Sequence, residues 1–193
     1  MINKESQEAI LSALQTLKGG EVIATAHTLD QPDLVEGLLV LGGSARLVVD
    51  KGQSHGTRTK LQFQSLQQLV RGGVRVRVVS GSHLAAVYSA DNRDTSRIGK
   101  GQRGIQHSKT FAISKDGQFQ LIIGSCNWTT ASRSNAEAGV LLTGSCGHEV
   151  YQQYTENFER LWKEAVVFDG TRVAEEEPRR RVFGKQSAPT EED

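Results

Sequence analysis

Apolar positions at Ile10, Ala13, Leu14 and Leu17 recur at helical spacing over residues 4–17, and the run stops at Gly19-Gly20. Glu21 to Thr28, with VIATAHT, predicts a first strand. Asp30 has N-cap chemistry and Pro32 falls in the first turn of a second helix, predicted to reach about Leu41 and to end at Gly42-Gly43. Ala45 to Asp50, with RLVVD, predicts a second strand, followed by a polar loop, KGQSHG. A third helix over Thr57 to Arg71 presents Leu61, Leu66, Leu69 and Val70, and another glycine pair closes it. Val74 to Val79 then alternates valine with Arg75 and Arg77. A strand-helix-strand rhythm with apolar strands predicts α/β layering that starts parallel.

Ser80 to Gln106 has no clear periodicity and carries Arg93, Arg97, Lys100 and Arg103 among Gly, Ser, Asn and Asp. Its composition suits a solvated loop. Because it leads directly into His107, a loop facing a substrate is the competing reading. Thr110 to Ser114 and Gln118 to Gly124 are β-branched and aromatic, with Lys115-Asp116-Gly117 as turn chemistry between them, which predicts a hairpin. A strand at Gly139 to Thr143 and a helix over His148 to Lys163 follow, the helix with Tyr151, Tyr154, Phe158, Leu161 and Trp162 on its apolar side. From Gly170 the chain turns to EEEPRRR and SAPTEED. Residues 1–169 are therefore expected to fold, and 170–193 to form a charged, disordered tail.

Composition narrows the classes. A chain of 193 residues suits one domain with a substantial core, and a net charge of +1 offers no global polybasic field. No run approaches the roughly 18 to 20 apolar residues of a membrane span. The N-terminal residues lack a basic segment leading to an apolar core. Two cysteines, Cys126 and Cys146, make no disulfide framework. The expectation is a soluble, reduced, intracellular protein, placed in the cytoplasm.

The hairpin carries the chemistry. His107 and Lys109 share one strand face and Ser125 and Asn127 share another, because side chains alternate along a strand. Whether the two faces coincide depends on the turn. A two-residue Asp116-Gly117 loop sets His107 opposite Cys126 and turns Ser125 away. A three-residue Lys115-Asp116-Gly117 loop sets His107 opposite Ser125, and Gly117 stands where that loop needs a left-handed residue. The three-residue loop is the expectation adopted here. It converges an imidazole, an ammonium, a hydroxyl and a carboxamide on one patch, a combination suited to phosphodiester chemistry. Imidazole can attack phosphorus or pass protons near neutral pH, and the others can hold oxygens as negative charge builds.

These residues also carry a resemblance. His-x-Lys followed by Gly124-Ser125-Cys126-Asn127 is similar to the signature of the phospholipase D superfamily, HxKxxxxD followed by GSxN, and Glu137 lies where that family places a downstream acid. Gly73-Val74-Arg75-Val76-Arg77-Val78 is similar to the family's GVxVRV strand. One position departs: five residues after Lys109 stands Ser114 in place of Asp, and the nearest acid is Asp116. An extended hairpin tip accounts for that shift and for the longer gap to GSxN. The resemblance implies a mixed β-sheet with helices on both faces, and a catalytic domain over residues 1–169. It also implies metal-independent hydrolysis in two steps through a phosphohistidine on His107, with Lys109, Ser125 and Asn127 on the phosphoryl oxygens. Glu137 would accept a hydrogen bond from the imidazole, so that the other ring nitrogen faces phosphorus. No cofactor and no metal are implied.

The superfamily reaction uses two histidines, yet His27, His55, His83 and His148 lack a lysine two residues on. One copy per chain implies a homodimer with the active site on its two-fold axis. His27 is expected in the core or at the rim of the pocket, and Cys126 as a small packed residue facing away from it. The substrate is a polyanionic phosphodiester. Nucleic acid, cut by an endonuclease, is slightly favoured over a phospholipid or cardiolipin, and a non-catalytic phosphate-binding module stays open.

Overall fold

The computed structural model describes residues 4–54, 60–79 and 105–170. The basic loop, the 170–193 tail beyond Gly170 and the first residues of the third helix lie outside them. Four α-helices appear among the described residues: α1 (Lys4–Thr16), α2 (Pro32–Leu41), α3 (Lys60–Arg71) and α4 (Glu149–Glu164). The strands are β1 (Glu21–Ala26), β2 (Ala45–Asp50), β3 (Arg75–Val79), β4 (Lys109–Lys115), β5 (Gln118–Gly124), β6 (Gly139–Ser145) and a short β7 (Val166–Val167) that the sequence did not suggest. They form one mixed sheet in the order β6-β5-β4-β1-β2-β3-β7. β1, β2 and β3 run parallel, while β4, β5, β6 and β7 each pair antiparallel.

Helices cover both faces, as expected. On one face Ile10 and Leu14 of α1, Leu34 and Leu38 of α2, and Leu66 and Leu69 of α3 pack on Leu47, Val76 and Phe111. On the other, Phe158 of α4 packs on Ile23, Val48, Ala112 and Leu121. The strands in the middle are buried on both sides, so they read as near-continuous apolar runs. Arg77 joins β3 to the last helix. Its guanidinium lies 4.6 Å from the centre of the Trp162 ring and donates to the Trp162 carbonyl at 2.6 Å, which fastens the C-terminal end of α4 to β3. α2 is capped by Gln31 rather than Asp30: the Gln31 side chain accepts from Leu34 N–H at 2.7 Å, while Asp30 accepts from Thr130 N–H at 3.0 Å. An amide oxygen one residue nearer the helix meets the orphan donor, and Asp30 is freed to tie the loop after β5.

The hairpin corrects the adopted register. Lys115 pairs with Gln118 and Lys109 with Gly124, so the loop has two residues, Asp116 and Gly117. Both have positive φ, +50° and +76°. This is the primed turn that Asp-Gly favours, because its twist matches that of the flanking strands. Positive φ at Gly117 was expected; at Asp116 it was not. The ladder ends at the Lys109–Gly124 pair, so it reaches neither His107 nor Ser125. Asp116 sits at the turn tip and not in the place of the family's motif acid.

Candidate active site

Strand direction brings one end of the sheet together. The C-terminal ends of β1, β2 and β5 lie beside the N-terminal ends of β4 and β6. His27 follows β1, Asp50 ends β2, His107 precedes β4, Lys109 begins it, and Ser125 follows β5. Ligands favour the carboxyl ends of parallel strands in such sheets.

His107 is exposed, and the residue before it is clamped. The buried Asp50 carboxylate accepts the Gln106 backbone N–H at 2.8 Å. His27 Nδ1 lies 3.0 Å from the Gln106 carbonyl oxygen. The Gln106 side chain donates to Ser108 Oγ at 2.6 Å, and Ser108 meets Thr25 Oγ1 at 3.0 Å. That chain continues through Thr110 Oγ1 to the hydroxyl of Tyr154 on α4. The His27 and His107 rings touch, with centroids 4.9 Å apart. Desolvation holds the His107 pKa below its ordinary 6.5, Lys109 and then His27 push the same way electrostatically, and Asp50 opposes them. Lys109 is buried, and its ammonium donates to the His107 carbonyl at 2.7 Å. Burial lowers its pKa, and Glu137 raises it.

Beyond Gly124 the chain leaves the ladder, so strand parity no longer orders its side chains. Ser125 N–H donates to the Ala138 carbonyl, and Trp128 N–H to that of Thr28. Ser125 Oγ donates to Glu137 Oε2 at 2.5 Å, and Asn135 donates to Glu137 Oε1 at 3.2 Å. The Glu137 carboxylate thus engages the Ser125 hydroxyl and acts electrostatically on Lys109, where a contact with the imidazole was expected. Asn127 has a buried Oδ1, and its backbone carbonyl is held by Gln7 of α1 at 3.0 Å. Gln7 also donates to the Thr129 carbonyl, so one amide from the N-terminal helix pins the Gly-Ser-x-Asn segment.

Cys126 is a small packed residue, as expected. It lines a small cavity with Lys109, Gln7 and Trp128 beneath α1, and burial raises its thiol pKa, which keeps it a neutral packed group. The structure therefore gathers Lys109, Ser125 and Glu137 as one linked group, with His107 tied to it through Lys109. Asn127 is tied in by backbone continuity. Sequence reasoning missed Asp50 and Gln7 and placed His27 in the core or at the rim, although both His27 and Asp50 stand at the ends of predicted parallel strands, which was the available signal. Among the described residues no group of His, Cys, Asp and Glu is arranged to hold a metal, and no helix is long and apolar enough to cross a membrane.

Residues 23–162 match the family model described as "Cardiolipin synthase, PLD-like domain". Mitochondrial cardiolipin hydrolase of Mus musculus is 32% identical over 116 residues, covering 58% of this chain and 49% of that protein. The protein of the same name from Homo sapiens is 32% identical over 106 residues, covering 52% of this chain and 40% of its own length. The chain thus spans about half the length of the curated relatives it matches, or less. Two solved structures share the fold. Nuc from Salmonella typhimurium, a phospholipase D family member, has a TM-score of 0.61 at 17% identity, covering 84% of this chain and 90% of its own. NucT from Helicobacter pylori has a TM-score of 0.64 at 14% identity, covering 87% and 96%. With more than half of its length matched to the PLD-like model, the chain belongs to the phospholipase D superfamily, in its single-motif branch.

Proposed function

We propose that this chain is a phosphodiesterase in which His107 is the nucleophile. The observation that carries the reading is the pairing of an exposed imidazole, held below its ordinary pKa, with the buried Lys109 ammonium bonded to its own backbone carbonyl. A neutral imidazole at neutral pH has a lone pair to attack phosphorus, and the adjacent cation offsets charge on the non-bridging oxygens. Attack forms an N–P bond and breaks the P–O bond to the leaving alcohol, whose oxygen takes a proton. Water then cleaves the phosphohistidine. Ser125 and Asn127 are assigned to the phosphoryl oxygens, with Glu137 holding the Ser125 hydroxyl and balancing Lys109.

The proton donor on the far side of phosphorus has to come from elsewhere. His27 is in ring contact with His107, which leaves no room for a phosphate between them. A homodimer that brings the partner's His107 across a two-fold axis meets this need. Nucleic acid is slightly favoured as the substrate; Arg93, Arg97, Lys100 and Arg103, which lead into His107 in sequence, suit either polyanion. The second reading, a phospholipid, is supported by the 32% identity to proteins named mitochondrial cardiolipin hydrolase.

The test incubates wild type and His107→Ala, both in EDTA, with single-stranded DNA, RNA and cardiolipin vesicles, and traps the intermediate by acid-labile phosphate on the protein. Turnover and trapping in wild type alone are expected. Activity that vanishes with chelator and returns with a divalent ion defeats the mechanism, and binding without turnover leaves a phosphate-binding module.

A further inference from the structure

We infer that His27 is a positioning residue for the reaction: it grips the backbone of Gln106 and so fixes the orientation of His107. This rests on His107 being the nucleophile. A carbonyl oxygen only accepts, so the 3.0 Å contact to Gln106 requires the proton of His27 on Nδ1. From the other side the buried Asp50 carboxylate takes the Gln106 N–H at 2.8 Å, and its second oxygen takes the N–H of Gln53 at 3.0 Å. Both polar groups of one peptide residue are therefore held by the ends of β1 and β2, and the next residue is the nucleophile. His107 itself has an exposed side chain, and a free loop would let it turn away from phosphorus.

His27 also lies among the groups that act on the charge of His107. The charged and titratable groups acting on His107 are His27 from the end of β1, Asp50 from the end of β2, and Lys109 from β4. His27 and Lys109 oppose its protonation and Asp50 favours it. His27 does this with its ring tilted against that of His107, 4.9 Å between centroids.

The experiment follows ring resonances of wild type, His27→Phe and His27→Gln through a pH titration, together with kcat and KM for bis(4-nitrophenyl) phosphate across pH. Wild type is expected to show His27 as the Nδ1–H tautomer and His107 titrating below 6.5. In His27→Phe the His107 titration and the acid limb of kcat/KM should move up together. Its kcat should fall by about tenfold or more with KM within about twofold, since orientation and not binding is lost. Gln keeps a donor for the Gln106 carbonyl, so His27→Gln should recover part of kcat. It also carries the comparison if the Phe variant does not fold. An Nε2–H tautomer, an unmoved His107 titration, or a rise in KM alone overturns the inference. If wild type turns over no phosphodiester, the proposed function fails, and the tautomer and titration still decide whether the clamp exists.

Discussion

The Lys109 ammonium donates to the carbonyl oxygen of His107 at 2.7 Å, so the cation proposed to meet the phosphate also braces the backbone of the proposed nucleophile. Lys109 is nevertheless buried, and burial disfavours its charge. Lys109→Met should thus cut kcat/KM by about 100-fold or more, the scale of losing a preorganised electrostatic group. Its melting temperature should stay near or above that of wild type, because a desolvated charge is replaced by an apolar chain of similar length. A large loss of stability with modest loss of activity would identify Lys109 as structural.

The direction of two pKa shifts displaces the whole pH profile toward acid. His107 is held below 6.5, so its neutral, reactive form persists to lower pH and the acid limb of kcat/KM should lie below 6.5. Lys109 is held below its ordinary 10.5, so the alkaline limb should fall below 10.5. The same shifts bear on stability. A histidine whose folded pKa is depressed favours the fold in its neutral form, and this contribution is lost as pH falls through 6.5 toward the folded value. A pH profile with its acid limb above 6.5 would contradict this environment.

Glu137 links Ser125 to Lys109, and the two substitutions should separate its roles. Ser125→Ala removes one charge-assisted hydrogen bond at an exposed position and should cost about 1 kcal/mol or less in urea denaturation. Glu137→Gln keeps an acceptor for Ser125 but removes the charge that raises the Lys109 pKa, so the alkaline limb should move further down. An unmoved alkaline limb in Glu137→Gln would show that the pair does not communicate.

The turn at the hairpin tip makes a prediction independent of catalysis. Gly117 at φ +76° should resist side chains, and Gly117→Val should cost about 1–2 kcal/mol. Asp116 at φ +50° tolerates this region better than most residues, so Asp116→Ala should cost less than Gly117→Val but more than Lys115→Ala. Asp116→Gly should be near neutral. A cost for Asp116→Ala no larger than that of Lys115→Ala in chemical denaturation would contradict the two-residue loop.

Arg77 should not be replaceable by lysine. Its guanidinium stacks on Trp162 and reaches two carbonyls, those of Trp162 at 2.6 Å and Ala165 at 3.4 Å. A lysine ammonium lacks the planar fork, so Arg77→Lys should lose about 1 kcal/mol, read as a lower urea midpoint with an unchanged slope.

Periodicity and turn chemistry determined most of the fold from the sequence alone. The apolar runs at Val22–Ala26 and Leu47–Val49 suit strands covered on both faces, and the two hairpin strands, joined by turn residues, pair with each other. The order of His107, Lys109, Ser125 and Asn127 was legible for the same reason, since their spacing is fixed along one short stretch. Register was not, because two-residue and three-residue loops are both available to Lys-Asp-Gly and differ by little free energy locally; agreement of twist across the assembled sheet settles the choice at Asp116 and Gly117. Parity also lost its authority at Gly124, where the chain leaves the ladder and Ser125 is placed by Ala138 and Glu137 instead. His27 and Asp50 reach His107 across 80 and 57 residues of sequence only because β4 runs antiparallel beside β1, a long-range pairing that no local pattern encodes.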